Sequence, residues 1–201
     1  MKIKRGIKYD FTLIAILLIP IGVAINFVGA QLVNLLKLPV YLDTMGTALT
    51  AMIGGPWVGM ATGIFSNLVK ALLNPVSLAF TPVQMAVGLT IGFLSMAGMF
   101  NKVWKVLIAV VIVSLATTIV ASPIQVLVFG GATGNSSDAL VATFLASGQQ
   151  IWTAVFSTKM INELIDKSIC LLIAYFIVIK MSPRYLSKLN YGSSFIKKKA
   201  S

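Results

Sequence analysis

FTLIAILLIPIGVAINFVGAQLVNLL, residues 11–36, carries no charged side chain from end to end. About 20 apolar residues take an α-helix across a bilayer core, so this stretch reads as a membrane span. Pro20 predicts a kink inside it, and Gly22 and Gly29 are points where the helix is thin. Lys2, Lys4, Arg5 and Lys8 precede it, the basic flank that a cytoplasmic membrane surface favours.

Working outward from this block, the pattern recurs. A second span, 40–53, carries Asp43 near its start and ends at Gly54-Gly55-Pro56-Trp57. Paired glycines followed by proline are the chemistry of one helix stopping and another starting. Trp57 then sits at the headgroup level. A third span, 57–73, contains Gly59 and Gly63, four residues apart, which lets two backbones approach closely in lipid. A loop with Asn74, Pro75 and Pro82 leads to a fourth span, 83–100, and a short basic connection to a fifth, 106–129. The outer half of the fifth is polar, with Ser122, Pro123 and Gln125. Glycine, serine and asparagine mark 130–138 as a loop, 138–156 has helical periodicity, and a final span covers 160–181. Its uncharged run, 168–179, is too short to cross alone, so the helix is expected to reach back through Glu163, shielded from lipid. Whether 138–181 forms one bent helix or two is open at this level.

The expectation is an all-α integral membrane protein, a single domain over 1–201 with six transmembrane helices and a loop plus helical segment at 130–158. Composition agrees: 58% of residues are hydrophobic and 10% charged, too little polar surface for a soluble domain of 201 residues. The net charge of +11 sits at the ends of apolar blocks rather than on a basic face interleaved with aromatics, which argues against a nucleic-acid partner. Of the 16 basic residues, twelve lie in the two tails and at Lys102 and Lys105; Lys37, Lys70, Lys159 and Lys167 lie elsewhere. That asymmetry puts both termini in the cytoplasm, with 37–42, 74–82 and 130–138 together on the outer face. Cys170 is the sole cysteine, so no internal disulfide forms, and the absence of histidine removes zinc sites of the usual ligand set and His-based triads. The first apolar block is too long for a cleavable leader.

Ionisable residues inside a membrane are functional suspects because burying them is costly. Lys159, Glu163 and Lys167 are spaced by four and share one helical face, with Asp166 beside it. Two compatible readings follow: a self-neutralised ladder, or the polar wall of a binding cavity with Lys159 nearest its mouth. Asp43 and Lys70 read either as residues snorkelling to water or as a gate or ligand contact. Gln149, Gln150, Trp152 and Thr153 combine amides, an aromatic plate and a hydroxyl after the outer loop, which suits a pocket or an interfacial belt. With Gln84, Gln125 and Lys159 they make up the expected substrate-binding set. Gly59 and Gly63 read as packing within the chain or against a partner protein. No paired acids in separate spans, activated serine or His-Glu-x-x-His run is present to suggest an enzyme, and two arginines make no voltage sensor.

The stretch from Leu42-Asp43-Thr44, through Gly54-Gly55-Pro56-Trp57, to Ser66-Asn67-Leu68 resembles the substrate-binding S component of energy-coupling factor (ECF) transporters, the vitamin importers of many bacteria. The spacing of Gly55, Pro56, Gly59 and Gly63 looks like the junction of that family's second and third helices. The resemblance implies a multi-pass subunit of a bacterial cell membrane that captures a vitamin and has no cofactor of its own. A transmembrane coupling subunit and two cytoplasmic ATPases would be its partners, and the ATPases would use the ATP. It also implies that Gly55, Pro56, Gly59 and Gly63 belong to a docking face for the coupling subunit. The family's Ala-x-x-x-Ala element is missing from the first helix, where Ala15, Ala24 and Ala30 are differently spaced and Gly22 and Gly29 are the substitutes. For the ligand, a corrinoid such as cobalamin is the first expectation, with pantothenate or another water-soluble vitamin behind it. The competing readings are a small-solute carrier working alone and a membrane sensor domain, the latter disfavoured by a chain that stops about twenty residues after its last span.

Overall fold

Thr12 opens the first long uncharged stretch by accepting a hydrogen bond from the Ala15 N–H at 3.3 Å, a side-chain cap for an otherwise unsatisfied donor. In the computed structural model, which describes residues 6–135 and 137–196, the helix that follows runs Leu13–Leu36 and stops where Lys37 turns left-handed. The basic residues Lys2, Lys4, Arg5 and Lys197 to Lys199 lie outside the described residues. A single turn, α1 (Ile7–Asp10), precedes this helix, α2. Then come α3 (Met45–Gly54), α4 (Pro56–Ala71), α5 (Val76–Ala79), α6 (Thr81–Met96), α7 (Val103–Phe129), α8 (Asp138–Ala146), α9 (Ile151–Lys180), α10 (Pro183–Leu186) and α11 (Ser193–Ile196). No strand occurs among the described residues.

Several boundaries depart from the sequence reading. Residues 38–44, which include the first five of the expected second span, are not helical but form a strap, with Leu42 at φ 46°. The strap's N–H groups at Tyr41 and Leu42 are taken by a carboxylate on α9 instead of by helix carbonyls. The question left open over 138–181 resolves into two helices, broken at Gly148, whose φ is 87°. The second, α9, begins at Ile151 and so absorbs residues assigned to the outer segment.

Among the described residues, α2 and α7 are the helices both long and apolar enough to cross a membrane by themselves. With 10 residues α3 is far shorter than a bilayer core, and α9, at 30 residues, carries four charged side chains in its middle.

Polarity is turned inside out relative to a water-soluble bundle. On α7, Leu107, Ile108, Val111, Ile112, Leu115 and Ile119 are exposed, while Ser114, Thr117, Thr118, Ser122 and Gln125 are buried. Lipid asks for this arrangement: apolar side chains outside, polar ones inside where other helices satisfy them.

Close backbone contact assembles the first half. A Cβ on Gly46 would lie 1.9 Å from the Gly22 carbonyl oxygen, and one on Gly88 would lie 2.4 Å from the Gly59 carbonyl carbon. Neither α2–α3 nor α4–α6 could approach this way with a larger residue. Asn26 joins three helices: its amide donates to Thr47 Oγ1 at 2.8 Å and Ser66 Oγ at 2.9 Å, and its oxygen accepts from the Gly46 N–H at 2.7 Å. The last of these satisfies an orphan N–H of the first turn of α3 from a neighbouring helix. At the opposite end from the strap, Tyr191 donates to Asp10 at 2.7 Å, and Leu186, Leu189 and Phe195 join the apolar core. Burial raises the Asp10 carboxyl above its ordinary pKa, partly offset by the Tyr191 hydroxyl and the Trp57 N–H.

Candidate functional site

The strap roofs a cavity of about 370 Å³ between α2, α4, α6 and α9. Three segments that the sequence reading grouped on one face converge on it: Leu38 to Thr44 of the strap, Asn74 to Ser77, and Gly134, Asn135 and Ser137. Tyr41 ties two of them together, its hydroxyl 3.3 Å from Ser137 Oγ.

One wall is α9. The four-residue spacing brings Lys159, Glu163 and Lys167 onto the cavity, and none is more than 4% exposed. Lys167 Nζ is 2.9 Å from Glu163 Oε2 and 2.7 Å from Asp166 Oδ2, so one cation serves two acids. The surplus negative charge is met by neutral donors: Thr117 Oγ1 donates to Glu163 at 3.0 Å, and the Tyr41 and Leu42 N–H groups donate to Asp166 Oδ1 at 3.0 and 2.7 Å. Asp166 thereby pins the strap and does not itself line the cavity. Across the cavity, Asp43 and Lys70 pair with each other.

Lys159 differs from the other two cavity lysines. It makes no ion pair with an acid among the described residues; it donates to Tyr41 Oη at 3.0 Å and lies 5.0 and 5.1 Å from the Tyr41 and Phe80 ring centres. Phe80 is held flat against Phe129, with ring centroids 5.7 Å apart and planes within 8° of parallel. An ammonium between two ring faces is stabilised by their quadrupoles, but neither ring is a counter-ion.

Two amides complete the site. Asn67 Nδ2 donates to the Ser77 carbonyl at 2.9 Å, and Gln84 Nε2 donates to the Asp43 carbonyl at 3.2 Å. Because a carbonyl only accepts, each amide has to turn its NH₂ that way, which leaves Asn67 Oδ1 and Gln84 Oε1 as the free ends. Both oxygens are buried without a hydrogen-bond donor among the described residues.

The structure separates the residues that the sequence reading grouped as substrate-binding. Gln84 and Lys159 line the cavity. Gln125 is buried outside it, donating to the Gly131 carbonyl at 2.7 Å. Gln149, Gln150, Trp152 and Thr153 are exposed on the exterior, and Thr153 bonds only to the Gln150 carbonyl of its own turn. The helix explains the split: with Ala154, Val155, Thr158 and Lys159 turned inward, 152 and 153 face away.

The proposed docking set is likewise interior. A Cβ on Gly59 would lie 2.4 Å from that of Ala51, and one on Gly63 would lie 2.7 Å from the Gln84 carbonyl oxygen. Gly55, at φ 102°, is covered by Tyr191 and Asp10, and Pro56 abuts Gly92. Gly22 and Gly29 are also used up inside the chain, against Gly46 and the Leu42 carbonyl. None offers a free surface. Sequence reasoning did not single out Tyr41, Phe80 or Asn67 as site residues; an asparagine inside an apolar span was the one available signal.

Comparison with known proteins follows this geometry. Residues 14–178 match the family model described as ECF transporter, substrate-specific component. No curated protein and no solved structure matches the chain. The family match covers every element that builds the cavity, from α2 to α9, and most of the chain: this protein belongs to the substrate-specific components of ECF transporters, membrane transport subunits that bind the substrate and associate with ECF transmembrane and ATPase modules.

Proposed function

We propose that this chain captures a compact water-soluble vitamin in the strap-roofed cavity and hands it to an ATP-driven importer in a bacterial cell membrane. The observation that carries this reading is the cavity itself, roofed by the strap and lined by residues whose buried amide oxygens have no donor among the described residues. Buried polar groups are normally paired, and leaving them open costs about 1–3 kcal/mol each, a cost that a bound ligand offsets. Its volume lies at the small end of ligand pockets, roughly 300–1,000 Å³. A molecule of pantothenate's size suits it better than a corrinoid, so cobalamin, the first expectation from sequence, finds no support here.

In this reading α2, α3, α4, α6, α7 and α9 form six membrane segments, the short ones shielded by their neighbours. The basic tails lie in the cytoplasm and the strap on the outer side. A coupling subunit and two ATPases supply movement; the chain alone supplies recognition. Proteoliposomes containing only this chain are expected to bind a vitamin but not concentrate it, and to accumulate it once the partner subunits and ATP are added. Concentrative uptake by the chain alone, driven by a proton or sodium gradient, would overturn the proposal in favour of an independent carrier.

A further inference from the structure

We infer that the ligand is a small monoanion, a monocarboxylate that also carries O–H or N–H donors; this rests on the reading of the cavity as the capture site. Three lysines and two acids line the cavity, Lys70, Lys159 and Lys167 against Asp43 and Glu163. Lys70 is matched by Asp43 and Lys167 by Glu163. The wall is left with one uncompensated positive charge, and it belongs to Lys159. Asp166, which makes the interior neutral overall, faces away from the cavity and is saturated by Lys167 and two strap N–H groups.

A buried ammonium held by a phenol hydroxyl and two ring faces lacks the counter-ion that a buried charge requires. A carboxylate supplies it with a charge-assisted hydrogen bond. A phosphate monoester, carrying nearly two charges at neutral pH, would call for further cations or an arginine fork, and the wall has no arginine. A cationic ligand would meet Lys159 as a like charge and find both lining acids already paired.

The amides call for a second feature of the ligand. Asn67 Oδ1 and Gln84 Oε1 sit on α4 and α6, on different elements from Lys159, and both only accept. Hydroxyls or amide N–H groups on the ligand satisfy them; a bare hydrocarbon leaves them open. Tyr41, Phe80, Val83 and Val87 offer apolar and aromatic surface in the same cavity.

The test pairs acids with uncharged counterparts of nearly equal shape: pantothenate with panthenol, nicotinate with nicotinamide, biotin with biotin amide. Thiamine, riboflavin and cyanocobalamin complete the panel. Each is titrated calorimetrically into the full chain in nanodiscs. We expect one acid to bind with its counterpart at least about thirtyfold weaker, the loss of one partner of a buried charged pair. In Lys159→Met that gap should shrink to a few-fold, chiefly because the acid weakens. Because the pairs are compared on the unaltered protein, the result stands even if Lys159→Met fails to fold. Equal binding of an acid and its counterpart overturns the charge assignment. Binding of thiamine, riboflavin or cyanocobalamin with all three acids silent also overturns it, while the capture reading survives. Failure of every compound to bind counts against both.

Discussion

Asn26 and Asn67 are both buried asparagines within apolar helices, and the chain treats them oppositely. Asn26 has its amide and its oxygen satisfied by Thr47, Ser66 and the Gly46 N–H, and its neighbourhood is closed. Asn67 spends its amide on Ser77 and leaves its oxygen buried without a donor among the described residues. Ser66 and Asn67 are adjacent in sequence, yet the first belongs to the satisfied hub and the second to the open one. The same contrast separates Lys167, which balances two acids, from Lys159, two helical turns earlier, which balances none. A polar group that holds the fold has its partners within the chain; the groups proposed to bind are left short of them.

This contrast can be broken by substitution. The largest effect is expected at Lys167: in Lys167→Met, Glu163 and Asp166 lose their shared cation inside the protein, at a cost of about 3–5 kcal/mol. Thermal unfolding in detergent should show little or no folded protein at neutral pH, whereas Lys159→Met should retain a transition near that of the unaltered chain. Next comes Asn26→Ala, which removes bonds joining α2, α3 and α4 and uncaps a helix N–H. We expect it to cost about 2 kcal/mol, read as a lowered unfolding midpoint with ligand affinity retained in the folded fraction.

Asn67→Ala should invert that pattern. Its unliganded stability should stay within about 1 kcal/mol of the unaltered chain, since it loses one bond to Ser77 and relieves one unsatisfied oxygen. Affinity should fall about tenfold by equilibrium binding. Trp152→Ala is the smallest: the side chain is 46% exposed on the exterior, so affinity should change by less than about twofold. A loss of thirtyfold or more there would return the site to the end of the outer segment.

How much of this was legible in sequence depends on whether the information was local. The uncharged stretches that became α2 and α7 were readable because hydrophobic runs are local, and the Gly54-Gly55-Pro56 break because turn chemistry is. Helical spacing alone put Lys159, Glu163 and Lys167 on one face. Spacing could not say which lysine would be left unpaired, because that depends on Asp43 meeting Lys70 from another element and on the strap donating to Asp166. The strap itself was hidden. Its residues look like the start of a span, and only a carboxylate more than 120 positions away explains why Tyr41 and Leu42 leave the helix. Gly59 and Gly63 carried a signal for close approach without an address, and the address proved to be α3 and α6 of the same chain.

We propose that Lys159 and the unsatisfied oxygens of Asn67 and Gln84 belong to the substrate site. A crystal structure of the protein with its bound small molecule tests this most directly. Ligand density is expected beneath the strap, with an anionic group within hydrogen-bond distance of Lys159 Nζ and donors on Asn67 Oδ1 and Gln84 Oε1. Density against the outer face of α9 beside Gln149, Gln150 and Trp152, with the cavity holding only water, would contradict it.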